Sequence, residues 1–262
     1  MSNHKENLGQ NTQNSVSVTE QPKWKYYASQ VGQLVVALLV VFAIRSSIVE
    51  PFKIPSGSMI PTLHVGDFIF VNKFAYGFRL PFSDYFGSQI QLIKRDPPKR
   101  GDIIVFLFPK DESIHYIKRV VGVPGDTVEI RNKVIYINGA KVESSEVAPD
   151  YKTATLKNVG DNRYGDDHIK MYKEKFGEKE HEMMIDTQNE YTSDFGPITI
   201  PEERLFVMGD NRDFSNDSRF WGYVPFENVS GRAELIWLSL WINFSDPSKS
   251  SFKPSRIGTV LR

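Results

Sequence analysis

The sequence predicts a mainly β fold: an antiparallel β-barrel or sandwich with an inserted polar subdomain, preceded by one N-terminal transmembrane helix. Three observations predict it. An uncharged apolar run, QLVVALLVVFAI, lies near the N-terminus. Seven short runs rich in Val, Ile and Phe follow, separated by Gly, Pro, Asp and Asn. Between the fifth and sixth of these, residues 141–200 turn polar and acidic.

Taken in order, residues 1–24 are rich in Asn, Gln, Ser, Glu and Lys, carry little that could be buried, and are expected to be a disordered tail. Residues 25–45 are the expected membrane anchor. Nineteen residues without formal charge separate Lys25 from Arg45, and at ~1.5 Å per residue they reach roughly 28 Å, close to the thickness of a bilayer's hydrocarbon core. Trp24, Tyr26 and Tyr27 suit the aromatic belt at the interface. Ser29, Gln30 and Gln33 weaken the N-terminal half, and a buried core helix is the alternative. A cleaved signal peptide fits less well, because the polar leader is long and AIRSSIVEPF offers no small-x-small cleavage site. Lys23 and Lys25 on one side balance Arg45 and Lys53 on the other, so charge counting leaves the orientation open.

Residues 50–140 and 201–262 form the two parts of the β-domain. Its strands are expected at DFIFVNK, GDIIVFLF, HYIKRVV, DTVEIRN, KVIYINGAKV, ERLFVMGD and AELIWLSL. Within KVIYINGAKV, Asn138-Gly139 marks a hairpin, since a type I′ turn needs positive φ at both central positions. IIVFLF, apolar throughout, suits a strand covered on both faces or facing lipid on one. The insertion holds 8 Lys/Arg against 13 Asp/Glu, whereas the whole chain has 32 of each. The remainder is therefore slightly basic, which favours anionic lipid headgroups. No global excess of charge points to nucleic acid. The absence of cysteine removes disulfides, thiolate metal sites and a cysteine nucleophile.

Three short stretches could carry chemistry. In IPSGSMIPTL, Gly57 permits a sharp turn and close approach of another chain, and Ser58 follows it; an ordinary turn serine is the plain alternative. A serine hydroxyl needs a base. His4 lies in the tail and His168 and His181 in the insertion, which leaves His64 and His115, neither in a recognisable triad context. H-E-x-x-H is absent. Lys118 is the stronger candidate: a period of two puts it with Tyr116 and Val120 on one face of HYIKRVVGVPGD, away from water. Lowering its pKa from about 10.4 to 7–8 costs about 4 kcal/mol, within what burial can produce. An exposed strand lysine is the alternative. The third stretch, GDNRDFSNDSRFWG, concentrates Asp210, Arg212, Asp213, Asp217 and Arg219, which suit an ion-pair network or an Asx-rich loop; it lacks the glycine and terminal glutamate of a calcium-binding EF-hand loop.

VEPFKIPSGSMIPTL, RGDIIVF, HYIKRVVGVPGD and GDNRDFSNDSRFWGYVP, in that order, resemble the successive boxes of bacterial type I signal peptidases, serine-lysine leader peptidases. The resemblance runs from Ser29 to about Leu240 and weakens over 141–200. It implies that Ser58 is the nucleophile, Lys118 the general base, and Ser56 an oxyanion donor beside the Ser58 N–H. It further implies that Ser215 orients the Lys118 amine and that Arg119, Asp210, Asp217 and Arg219 are supporting ion pairs, with no metal or cofactor. By the same resemblance, the substrates are exported preproteins cut after small residues at −1 and −3. The enzyme sits in the bacterial cytoplasmic membrane, N-terminus inside and catalytic domain outside, with lipid and the export translocon as partners. Two other readings stay open: a pilin- or plasmid-transfer-processing enzyme of the same superfamily, and a catalytically dead membrane-anchored β-domain that binds exported proteins.

Overall fold

Alternating apolar residues and β-branched side chains make about half of the described residues beyond 48 into short antiparallel strands. The structure, a computed structural model, describes residues 23–47, 49–79, 91–94, 96–157, 159, 167–247 and 250–261. The expected tail therefore falls almost wholly outside the described residues. The chain divides into two units, Met1–Phe42 and Ala43–Arg262. Helix α1, Lys23–Ser47, occupies the expected anchor segment. Among the described residues no helix is long and apolar enough to cross a membrane.

The strands are β1 (Val49–Lys53), β2 (Asp67–Asn72), β3 (Gly77–Arg79), β4 (Gln91–Lys94), β5 (Ile103–Phe108), β6 (Asp111–Gly122), β7 (Thr127–Arg131), β8 (Val134–Ile137), β9 (Ala140–Lys141) and β10 (Glu143–Glu146). Helix α2 (Pro149–Lys157) precedes β11 (Ile169–Phe176), β12 (Lys179–Asp186), β13 (Phe195–Thr199) and β14 (Arg204–Met208). A one-turn helix, α3 (Ser218–Trp221), leads to β15 (Val224–Pro225), β16 (Val229–Trp241) and β17 (Ser251–Phe252). The main sheet has the order β1-β2-β16-β5-β6-β14-β15, with β17 also on β16.

This sheet does not close among the described residues, so the barrel alternative is corrected to an open antiparallel sheet with smaller sheets beside it. Its edges explain why. The β1 edge is five residues long and contains Pro51, and β15 is two residues ending in Pro225, so neither offers a ladder long enough to pair across a closure. The expected strands otherwise appear where the apolar runs lie. β5 is buried through its first four residues. Asn138 and Gly139 take φ of 53° and 79° between β8 and β9, the positive values that the hairpin turn requires.

The polar segment builds a three-stranded sheet, β10-β11-β12, whose Ile169, Met171 and Met184 form a core with Leu156 of α2. Ile60, two residues from Ser58, is buried in that same core. The segment's last strand, β13, pairs with β7. The insertion is thus packed onto the β-domain at the turn that carries Ser58.

Candidate active site

Residues 54–66 connect β1 to β2. The connection is pinned at its ends by Ile54 N–H to Asp67 O (2.8 Å) and Gly66 N–H to Ile54 O (3.0 Å), and tightened inside by Leu63 N–H to Met59 O (2.9 Å). Met59, Ile60 and Leu63 are fully buried. Burying the three apolar side chains fixes the turn and leaves Ser58 at its start, itself buried. The Ser58 N–H donates to no group among the described residues.

Lys118 comes from β6, where it faces Ile104 of β5 across the ladder. Its Nζ is 2.7 Å from Ser58 Oγ and 2.9 Å from the Ile117 carbonyl, and 5.4 Å from the centre of the Tyr116 ring. The side chain is 4% exposed. Burial holds its pKa down to about 8, the charges of Asp217 and then Asp210 opposing that fall. Near neutral pH about a tenth of such an amine is unprotonated and able to accept a proton, far more than of a free lysine, and the hydroxyl it contacts belongs to Ser58. The water-excluding face expected from the period of two is therefore present.

Arg119 points to the other face. β14 ends at Met208 opposite Arg119, so Asp210, two residues on, arrives at the guanidinium. Arg119 Nε donates to Asp210 Oδ1 (2.8 Å), Nη2 to Oδ2 (2.7 Å) and Nη1 to the Gly101 carbonyl (2.8 Å). Thr62 Oγ1 adds a 2.5 Å bond to Asp210 Oδ2. Burial by itself would raise the Asp210 carboxyl; Arg119 overrides it and holds the pKa below the usual value. Asp217 and Arg219 form a second pair, with Nε to Oδ1 at 2.8 Å and Nη2 to Oδ2 at 2.9 Å, and Asp217 Oδ2 also accepts from the Gly209 N–H at 3.1 Å. The four charged residues expected around the site are therefore paired as two forks.

Ser215 and Ser56 stand differently. Ser215 Oγ is buried without a hydrogen-bond partner, so the expected bond to the Lys118 amine is not made in this structure. Ser56, two residues before Ser58, is exposed. The structure pairs neither His64 nor His115 with Ser58: His64 lies beside Asp67 and Arg256, and His115 packs at a tilt against Phe52, ring centres 5.1 Å apart. Among the described residues no group of three or more His, Asp or Glu is placed to hold a metal ion.

Besides Thr62, two residues of the site were not singled out from sequence. Asn211 ties the loop to the serine turn, its N–H to Ser58 O at 3.2 Å and its Nδ2 to Gly57 O at 2.9 Å. Gly209 lies where they approach closely: a Cβ there would stand 2.3 Å from both Ser215 Oγ and Ser58 O. The signal in the sequence is their place in GDN, directly flanking Asp210. The close approach expected near Gly57 is made by Gly209.

A family model described as signal peptidase, peptidase S26 matches residues 27–239. The chain is similar to a signal peptidase I of Pseudomonas aeruginosa, 42% identical over 235 residues that cover 85% of this chain and 75% of that protein. A signal peptidase I of Pseudomonas fluorescens is 43% identical over 235 residues with the same coverage, and one of Rickettsia typhi is 38% identical over 222 residues, 80% of this chain and 79% of that protein. With its match running through the Ser58 turn, β6 and the 209–222 loop, the chain belongs to the peptidase S26 family as a bacterial type I signal peptidase, a serine endopeptidase.

Proposed function

We propose that this protein removes N-terminal signal peptides from exported preproteins, with Ser58 as nucleophile and Lys118 as general base. The observation that carries the reading is the 2.7 Å contact between Lys118 Nζ and Ser58 Oγ, made by a buried amine whose pKa lies near 8. Neutral Lys118 takes the Ser58 proton as the oxygen attacks the scissile carbonyl. The Ser58 N–H, and the Ser56 hydroxyl once substrate covers it, stabilise the negative charge that develops on the carbonyl oxygen. The Lys118 ammonium then protonates the leaving amine, and water releases the acyl-enzyme by the reverse route. Ser215, buried and unpartnered in the free enzyme, accepts from that ammonium and orients it.

Small residues at −1 and −3 are the specificity that membership of the family implies. Residues 25–45 anchor the enzyme in the bacterial cytoplasmic membrane, N-terminus inside and catalytic domain outside. The support is a run from Leu34 to Ile44 without a polar residue, with the side chains from Leu34 to Phe42 exposed at every successive position. Through those eleven residues the helix is apolar on every side, which suits lipid. Lipid and the export translocon are the partners this implies.

Cleavage in detergent of a preprotein with alanine at −1 and −3 tests the reading, using wild type and Ser58→Ala. Expected is cleavage by wild type at that site and none by the variant. An inactive wild type, or equal cleavage by both, overturns it.

A further inference from the structure

The 209–222 loop and β6 bring three buried arginines to the site, Arg119, Arg212 and Arg219, but only two of the carboxylates that pair with them, Asp210 and Asp217. The third comes from the insertion. Glu174 of β11, 2% exposed, takes the Arg212 guanidinium with both oxygens, Nη1 at 3.0 Å and Nη2 closer still. Its cross-strand partner on β12 is His181, stacked on Phe176, with Nε2 3.3 Å from Glu174 and 3.8 Å from Asp210 Oδ1 and no hydrogen bond formed to either. Two main-chain N–H groups of β12 donate the same way: Met184 to the Asp210 carbonyl at 2.9 Å, and Asp186 to the Asp213 carboxylate at 2.7 Å.

We propose that the β11–β12 hairpin is a positioning element for the Ser58–Lys118 pair, with Glu174 as its key residue: by occupying Arg212 it leaves Asp210 to Arg119 and Thr62 and keeps the loop seated beneath Ser58. This rests on the peptidase reading above. Removing the Glu174 charge strands Arg212, buried, two residues from Asp210. Its remaining anions are Asp210 and Asp217, the two carboxylates whose charges act on Lys118. The groups facing Asp210 are Arg119 from β6, His181 from β12, Thr62 from the serine turn and Arg212 from its own loop. Burial and then Arg119 keep His181 below its usual pKa, with Glu174 and Asp210 opposing, so its neutral ring does not replace the lost carboxylate. A surplus cation there disfavours the Lys118 ammonium and draws Asp210 off Arg119.

The test uses the full-length enzyme in detergent with the alanine-site preprotein, reading kcat and KM against pH together with thermal melting. Glu174→Gln is expected to lower kcat at least tenfold with KM within twofold, and to move the rising limb of kcat to lower pH. Adding Arg212→Met, which removes the stranded cation, returns the limb toward its wild-type position. Ile135→Ala, a core truncation on β8 that shares a core with Phe176 but removes none of these hydrogen bonds or ion pairs, is expected to lower the melting temperature and leave the limb in place. Unchanged kcat and limb in Glu174→Gln overturns the inference, as does the same shift from Ile135→Ala. Should Glu174→Gln fail to fold, Glu174→Asp carries the test: the shorter reach lowers kcat several-fold with the limb unmoved, and an unaltered kcat overturns the inference. An inactive wild type brings down the peptidase reading itself; an active, Ser58-dependent wild type with an unaffected Glu174→Gln brings down only this one.

Discussion

Lys118 and Arg119 are neighbours on β6, both cationic in water and both buried, at 4% and 1% exposure, yet their surroundings set them opposite tasks. Arg119 meets a carboxylate fork and a backbone carbonyl, so its charge is matched and fixed. Lys118 on the other face meets a hydroxyl, a carbonyl and an aromatic ring, and no carboxylate touches it. The same burial that makes the first pair geometrically unique makes the second amine reluctant to carry a proton. One strand thus holds a permanently charged buttress and a proton acceptor side by side, divided by the alternation of the pleat.

Exchanging the character of the reactive side gives the largest effect. Lys118→Arg keeps a cation but cannot give up its proton near neutral pH, and kcat should fall by about 10²–10⁴, the scale of a lost general base. Single-turnover cleavage measures it, and activity within tenfold of wild type would require another base. For the wild type, the ammonium is inactive and the amine active, so kcat should rise with pH through about 8.

On the matched side, Asp210→Asn leaves Arg119 buried without its counter-ion and should cost ~3–5 kcal/mol of stability, read by denaturant unfolding. A loss near zero would mean that the fork carries no weight. Slightly smaller, and opposite in sign, is the effect of Lys118→Met on stability. A folded pKa of about 8 against about 10.5 unfolded means that folding disfavours the charged amine by about 3 kcal/mol at neutral pH. The unfolded chain binds the extra proton between those values, so wild-type stability rises with pH from about 8 to about 10.5. Lys118→Met should therefore be more stable than wild type at pH 7 while inactive, its advantage fading as pH approaches 10.5. A gain independent of pH would point to packing alone. At the small end, Arg131 pairs with Glu129 on the solvent side of β7, and Arg131→Ala should leave the denaturant midpoint where it is, because water already solvates both charges.

The strands were legible because their signal is local. β5, β6, β14 and β16 lie where Val, Ile and Phe recur, and the Asn138-Gly139 turn needed only two residues to announce it. Ser58 and Lys118 are 60 positions apart, and no spacing rule joins them; as isolated residues each had a plain alternative, and the resemblance of four ordered boxes made them a pair. Ser215 exposes a limit of that route, since its expected bond is absent here. Glu174 and His181 stayed hidden in KEKFGEKEHE, which reads as a solvated acidic surface. A period-two reading could have found them, because Glu174 shares a buried face with Phe176, and His181 with Met183.

The sequence by itself determined the strands, the hairpin turn, the apolar N-terminal run and, through its ordered boxes, the family, because each is written in neighbouring residues or in an uninterrupted pattern. Tertiary structure alone decided that the sheet stays open, that Gly209 is where loop and serine turn meet, and that the insertion's Glu174 supplies the carboxylate Arg212 lacks within its own loop. Those are matters of charge balance and steric fit between segments far apart in the chain, and they exist only once burial has removed the water that would otherwise satisfy each group alone.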